Sequence, residues 1–407
     1  VPRPAGNARL KAARVAAGYA SQQALADALG VGVRQVRRWE SDNPPWPQVE
    51  IQQSLTRILG QDVAALGFTP SGHGPGPVRR TLVTGTIAAV GLAAVPIQAA
   101  AVLQPASVAT DFEWVTRSHR RLYWSVAPAV LHPSVLAHGE LGRMLLTETT
   151  GQTRASVAAA LSESLLLMGR IEFFDLREPD RASGTWLRAL QAAGEAHDQL
   201  LGAAILAHTA FIPGWAGDRD AAVERMVAAR TYARRGPASP GFLAWLDAVE
   251  AECETRCGHT RTALHLIGHA EDVLARGGEH PDQDWMDWFS ATRLAAFKGN
   301  TQLKAGHLPQ AKETLLAVLA DLAPAEKQTS VILGDLAAVE AAAGRLEDAC
   351  TYAVRALDQL ERTWYATGMD RVRDVRRALA PHQHEQCVRD LDERLYGWAT
   401  TVSALAR

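Results

Sequence analysis

The sequence predicts an all-α fold in two parts, and three observations carry that prediction. Ser21 to Glu40 reads as two short amphipathic helices with a tight glycine turn between them. Beyond residue 111 a glycine–alanine register recurs five times. Ala is abundant and β-branched clusters are scarce, which favours helices over strands. The 407 residues are enough for two or three domains, and 47% hydrophobic with 21% charged residues describes folded rather than disordered material.

The first part, residues 1–68, is read outward from its turn. Ser21 is placed to cap a helix whose Leu25, Ala26 and Leu29 share one face. Ala26 is small where two helices cross closely, and Gly30 can take the positive φ that ends the first helix. In the second helix Val33, Val36 and Trp39 (or Glu40) take the buried side, so Arg34, Gln35, Arg37 and Arg38 project outward. Such a helix fits a DNA major groove, where Arg reads guanine edges bidentately and Gln reads adenine. A merely solvated charged face is the competing reading, but it requires the spacing, the small residue, the turn glycine and the outward arginines to coincide. Charge favours DNA: residues 1–80 carry +5 and the remainder −7, a basic head on an acidic body.

Residues 69–110 join the parts. Thr69 to Pro77 (T-P-S-G-H-G-P-G-P) is a hinge by composition. Thr81 to Thr110 holds no charged residue, and Leu82–Leu103 has membrane-spanning length behind Arg79 and Arg80. Ala, Gly and Thr dominate the run and Pro96 interrupts it, so a buried or linker segment is the expectation and a membrane helix the alternative. No apolar run follows Val1-Pro2-Arg3-Pro4, so no secretory signal is expected at that point. Four cysteines in so long a chain do not form a disulfide framework, which points to a reducing cytoplasm.

From residue 111 to 407 the glycine–alanine register organises the chain. Gly184, Gly217, Gly258, Gly306 and Gly344 are each followed five residues later by Ala189, Ala222, Ala263, Ala311 and Ala349, with small or apolar residues nine and twelve positions on. The intervals are 33, 41, 48 and 38 residues. A glycine that ends one helix and an alanine that lets its partner pack closely make a helical hairpin, which buries its apolar side only by stacking on the next. Phe112–Phe174 is expected to add two or three helices in front and Met369–Leu405 a closing pair.

Both parts resemble known families. Asn7 to about Phe68 resembles the helix-turn-helix domains of the xenobiotic-response-element type, bundles of about five helices. Asn7–Ala17 matches their first helix, S-Q-Q-A-L-A the second, and V-R-Q-V-R-R-W-E the recognition helix. The resemblance implies that Gln22 touches a phosphate, that Arg34 and Arg38 face base edges, and that Arg37 reaches a base or the backbone. The chain departs from the family at Gly32, where a Ser or Thr cap is usual, and at Asn43–Pro47, where prolines replace a glycine-bearing turn. Residues 112–400 resemble the tetratricopeptide-repeat domains attached to such heads in regulators of bacteria with GC-rich genomes. Asp284–Ser290 (D-W-M-D-W-F-S) and Ala305–Ala311 (A-G-H-L-P-Q-A) are the closest passages. In that layout a signalling peptide on the concave face of the superhelix alters DNA binding.

Catalytic chemistry is not expected. Gly-rich phosphate loops, nucleophile elbows and paired-carboxylate motifs are missing, so the chain reads as a non-enzyme with no cofactor. Cys253, Cys257, His259 and His265 have partial metal-ligand spacing, but cysteines packed in a repeat explain them better than a zinc site does. His265 and His269 lack the Glu of a metallohydrolase motif. A ligand groove is the better candidate. In a helix expected from about Asp284 to Lys304, Arg293, Phe297, Asn300 and Lys304 share one face, and Trp245 and Trp288 are placed to line the same concavity. The resemblance implies that Asn300 and Arg293 hold peptide carbonyls; the competing reading makes the aromatics core and the charges solvated.

The expected protein is thus a cytoplasmic, sequence-specific regulator that binds double-stranded DNA as a homodimer. Its all-α body, a tetratricopeptide superhelix, would sense a peptide, a small molecule or a protein partner. Two alternatives stay open: an interaction scaffold with little specific DNA binding, and a regulator tethered to the membrane through Leu82–Leu103.

Overall fold

The computed structural model describes residues 7–41, 44, 47, 49–59, 61, 63, 65–68, 104–323 and 326–405. Every regular element among them is helical, and the chain divides into two compact units, Val1–Pro96 and Ile97–Arg407. The expected hinge Thr69–Pro77, the apolar run Leu82–Leu103 and most of Asn43–Pro47 lie outside the described residues. No helix among the described residues is long and apolar enough to cross a membrane.

In the first unit the described helices are α1 (Ala8–Ala16), α2 (Gln22–Leu29), α3 (Val33–Trp39) and α4 (Val49–Leu59). That is four helices where the resemblance implies about five; the later described residues around Leu66 form turns. Ser21 Oγ accepts from the Ala24 N–H at 3.1 Å and starts α2, and Gly30 at φ 66° ends it. No side chain caps α3, because Gly32 has none to offer. Leu10, Leu25, Ala26, Val36, Trp39 and Leu55 are almost wholly buried and form the core.

One polar cluster ties this small core together. Arg14 Nε donates to Glu40 Oε1 at 2.7 Å, and its Nη1 donates to the carbonyls of Tyr19 and Ala20 at 2.8 and 3.1 Å. Gln22 Nε2 donates to the second oxygen of the same carboxylate at 2.7 Å. Glu40 therefore pins the end of α3 to both earlier helices. Asn7 does similar work at the other side, donating to the carbonyls of Trp39 and Leu66.

The second unit is built from paired helices. After α5 (Ser107–Leu122) and α6 (Pro128–Thr147) come α7 (Gly151–Arg170), a π-helical turn Ile171–Asp175, and α8 (Pro179–Glu195). Then follow α9 (Gln199–Ala216), α10 (Arg219–Ala233), α11 (Pro240–Arg256), α12 (Thr260–Arg276), α13 (Ala291–Lys304) and α14 (Leu308–Asp321). The series closes with α15 (Gln328–Ala342), α16 (Leu346–Arg362), α17 (Ala366–Ala378) and α18 (Gln386–Leu405). Each of α7, α9, α11, α13 and α15 packs on the even-numbered helix that follows it. The odd-numbered helices from α7 to α17 also pack on one another in succession, so they form one layer and α8 to α16 the other.

The glycine register holds in four hairpins. Gly217, Gly258, Gly306 and Gly344 have φ between 74° and 85° and join odd to even helices. The positions five, nine and twelve residues on are all buried, as Ala222, Met226 and Ala229 illustrate. The first hairpin corrects the sequence reading. Gly184 lies inside α8 and ends nothing; the left-handed turn residue is Arg177, at φ 60°. Counting from Arg177 places Ala182, Trp186 and Ala189 at the three register positions, and all three are fully buried. A non-glycine in this conformation costs about 1–2 kcal/mol, which Arg177 offsets through its contacts with Thr367 and Asp370 of α17.

A second correction concerns Asp284–Ser290. This stretch is not the start of a helix: α13 begins at Ala291, where Ser290 Oγ accepts from the Arg293 N–H. The connection from Gly277 to Ser290 is the insertion that lengthens this interval to 48 residues, and it turns Trp285, Met286 and Trp288 into the core.

Candidate functional site

On α3, Val36 and Trp39 are buried while Arg34, Gln35, Arg37 and Arg38 are all exposed, the alternation a seven-residue helix with one apolar face must show. None of the three arginines pairs with a carboxylate among the described residues. Gln22 has a structural role as well: one of its two amide protons goes to Glu40, so this side chain positions α2 against α3.

The odd-numbered layer of the second unit lines a partly open cavity of about 140 Å³. Every lining residue comes from an odd-numbered helix, the π turn, the segment after α5, the Trp288–Phe289 connection or Tyr365. Its walls are rich in rings: Trp124, Phe174, Phe211, Trp215, Trp245 and Trp288 all contribute. The π turn places Phe174 at this wall, and such turns occur often at functional sites because they displace side chains from helical register.

Four guanidiniums reach the cavity, and they are not equally neutralised. Arg256 has Glu252 at 2.7 Å and Arg371 has Asp335 at 3.0 Å. Arg293 has only Glu326, at 3.8 Å, and lies 4.1 Å from the Trp124 ring centroid. Arg170, 8% exposed, has no carboxylate within ion-pair distance among the described residues. It is surrounded instead by the rings of Trp288, Tyr123 and Trp124, at 4.8, 5.2 and 5.7 Å. Beside it Asp175 accepts from Tyr123 Oη at 2.9 Å and faces Lys327 at 3.5 Å, with both charged groups almost fully buried. Burial raises the Asp175 carboxyl and lowers the Lys327 ammonium, each toward its neutral form.

Burial, reinforced by the Arg170 charge, also pushes His208 down to about 3, so its ring is neutral in the folded protein. A folded-state pKa below the unfolded one makes stability complete above pH 6.5 and erodes it as pH falls toward 3. The slope contributed by this ring approaches about 1.4 kcal/mol per pH unit across that window. Thermal unfolding of the full chain at pH 7.5 and 4.5 should therefore show a smaller acid-induced drop for His208→Gln than for the parent. Equal drops would remove His208 from the account.

Of the ligand residues expected from sequence, Trp245, Trp288, Arg293, Phe297 and Asn300 all line the cavity. Lys304 does not: it lies exposed at the end of α13, a turn beyond Asn300. One of the two Asn300 amide protons is engaged, its Nδ2 donating to Asp335 Oδ1 at 3.1 Å, so this side chain orients a carboxylate at the cavity wall. Sequence reasoning missed Arg170, Tyr123, Trp124 and Arg371. Arg170 left one trace, a charge closing the apolar run L-L-L-M-G-R of α7, where a soluble helix would normally place its polar residues on the other face. The four cysteines are free, and burial raises the Cys253 thiol, which sits against the Ala210 carbonyl. No group of three metal-ligating side chains gathers among the described residues.

No protein-family model matches the chain, and no curated protein matches it. Among solved structures, the crystal structure of BtubC (BKLC) from P. vanneervenii is similar at 18% identity, over 58% of this chain and 91% of that chain, with a TM-score of 0.40. A likeness at that level assigns neither fold nor function.

Proposed function

We propose that the chain is a transcriptional regulator of the xenobiotic-response-element type, with a DNA-binding helix-turn-helix head and a tetratricopeptide-like body that senses a ligand. The observation that carries the reading is the exposed face of α3, where Arg34, Gln35, Arg37 and Arg38 pair with no carboxylate among the described residues while the opposite face fills the core. A cluster of uncompensated guanidiniums on one short helix suits the phosphates and guanine edges of a major groove. A single head makes few base contacts, so the regulator acts as a homodimer on a two-fold related site in the cytoplasm. The aromatic-lined cavity supports the sensing role of the body, since a ligand must bind the active and inactive arrangements with different affinity to act as a signal.

The test is a mobility shift on genomic fragments followed by sequencing of the bound DNA. Arg34→Ala and Arg38→Ala are each expected to relax the selected sequence at one position, a loss of about 1–3 kcal/mol in discrimination. Unchanged preference in both variants would sink the assignment. Steeply salt-dependent, sequence-indifferent binding by the parent would instead point to the scaffold reading.

A further inference from the structure

The cavity holds more positive charge than its own carboxylates neutralise, and that imbalance names a class of ligand. A buried guanidinium stays charged at any physiological pH, so it needs a partner or pays in desolvation. Arg170 is buried, its Nε has no hydrogen-bond partner among the described residues, and the rings around it offset only part of that cost. Arg293 is the second poorly neutralised guanidinium, 4.1 Å from the Trp124 ring centroid. The other two lining arginines already have their acids. Asp175, the remaining buried acid close by, is committed to Tyr123 and Lys327.

Size and shape narrow the ligand further. A void of about 150 Å³ lined by apolar side chains holds a benzene ring, and this one is about 140 Å³. Aromatic rings dominate its apolar wall, which favours a flat body over a branched one.

We propose that the cavity binds a small organic anion, a single flat apolar ring bearing a carboxylate or phosphate, with Arg170 as its anchor and Arg293 as a second donor. The anion completes the ion pair that Arg170 lacks, and the ring packs among the aromatic side chains of the cavity wall. This rests on reading the body as the sensing part of the chain and is independent of what the head binds.

Isothermal titration of the full chain tests it with benzoate, phenylacetate and phenyl phosphate, each beside its uncharged counterpart: benzamide, phenylacetamide and phenol. At least one anion is expected to bind ten-fold or more tightly than its neutral partner, and which one separates carboxylate from phosphate. Arg170→Gln should abolish that ratio while leaving the neutral compound's affinity unchanged. Arg293→Gln should reduce the ratio, and it serves if Arg170→Gln fails to fold. Neutral compounds binding as well as the anions, or no binding by any of the three anions, would overturn the proposal. A mobility shift on the same protein keeps the two readings apart: DNA binding without anion binding sinks only the ligand, and anion binding without DNA binding sinks only the regulator.

Discussion

Arg14→Ala is expected to unfold the helices between residues 8 and 59 while the body stays folded. The substitution removes a guanidinium that is 5% exposed and leaves the Glu40 carboxylate, 6% exposed, without its charge partner. Breaking one side of a buried ion pair costs about 3–5 kcal/mol. It also frees the carbonyls of Tyr19 and Ala20, which close the turn between α1 and α2. A small domain holds only about 5–15 kcal/mol in total and the smallest lie at the low end, so the loss is a large fraction of what a unit this size has. Hydrogen exchange on the full chain should show peptides from α1 to α4 losing protection and those from α7 to α16 keeping it. Unaltered protection in the head would refute the argument. The double variant Arg14→Met with Glu40→Leu should recover part of the stability, because an apolar pair replaces the ion pair without stranding a charge.

Trp186→Ala is expected to cost the body about 3–5 kcal/mol, the range for emptying a fully buried indole site. The side chain is 0% exposed, its Nε1 donates to the Leu166 carbonyl at 3.3 Å, and its ring packs on Phe173 and His208. The site cannot collapse easily, since the facing wall is Gly169 on α7, where an added Cβ would lie 2.3 Å from the indole nitrogen. Urea denaturation followed by far-ultraviolet circular dichroism should register the shift in midpoint at unchanged slope. A change under about 1 kcal/mol would mean that Trp186 is not part of the load on this hairpin.

Trp186 also shows how much of this fold the sequence makes legible. Four hairpins were readable because glycine is the cheapest residue in a left-handed turn and small residues recur at fixed distances after it. The first hairpin was misread by seven residues because Arg177 fills the turn position, and the preference for glycine is energetic rather than absolute. Its register then carries Trp186 where the others carry Met226, Ile267, Leu315 and Ala353, and no pattern of small residues signals that. In the head, the outward arginines of α3 were legible from periodicity alone, whereas the Arg14–Glu40–Gln22 cluster joins three helices and leaves no local trace. The cavity residues on α13 followed from helical spacing within one element, apart from Lys304. Arg170 and Arg371 belong to the same wall but stand on α7 and α17, and only tertiary packing brings them together.

Arg177 has a further consequence, in the order of events during synthesis. Its bonds to Thr367 and Asp370 span more than 180 residues, and the cavity draws its wall from Tyr123 through to Arg371. Hairpins such as α9 with α10 contact chiefly their neighbours and can form as they leave the ribosome. The chamber cannot, because α17 emerges last of its walls and must find a turn made long before. A nascent chain therefore passes through a stage with most of its helices built and no chamber, and a ligand cannot serve as a template for the early hairpins. Whatever fills the chamber meets a protein that has already finished most of its folding.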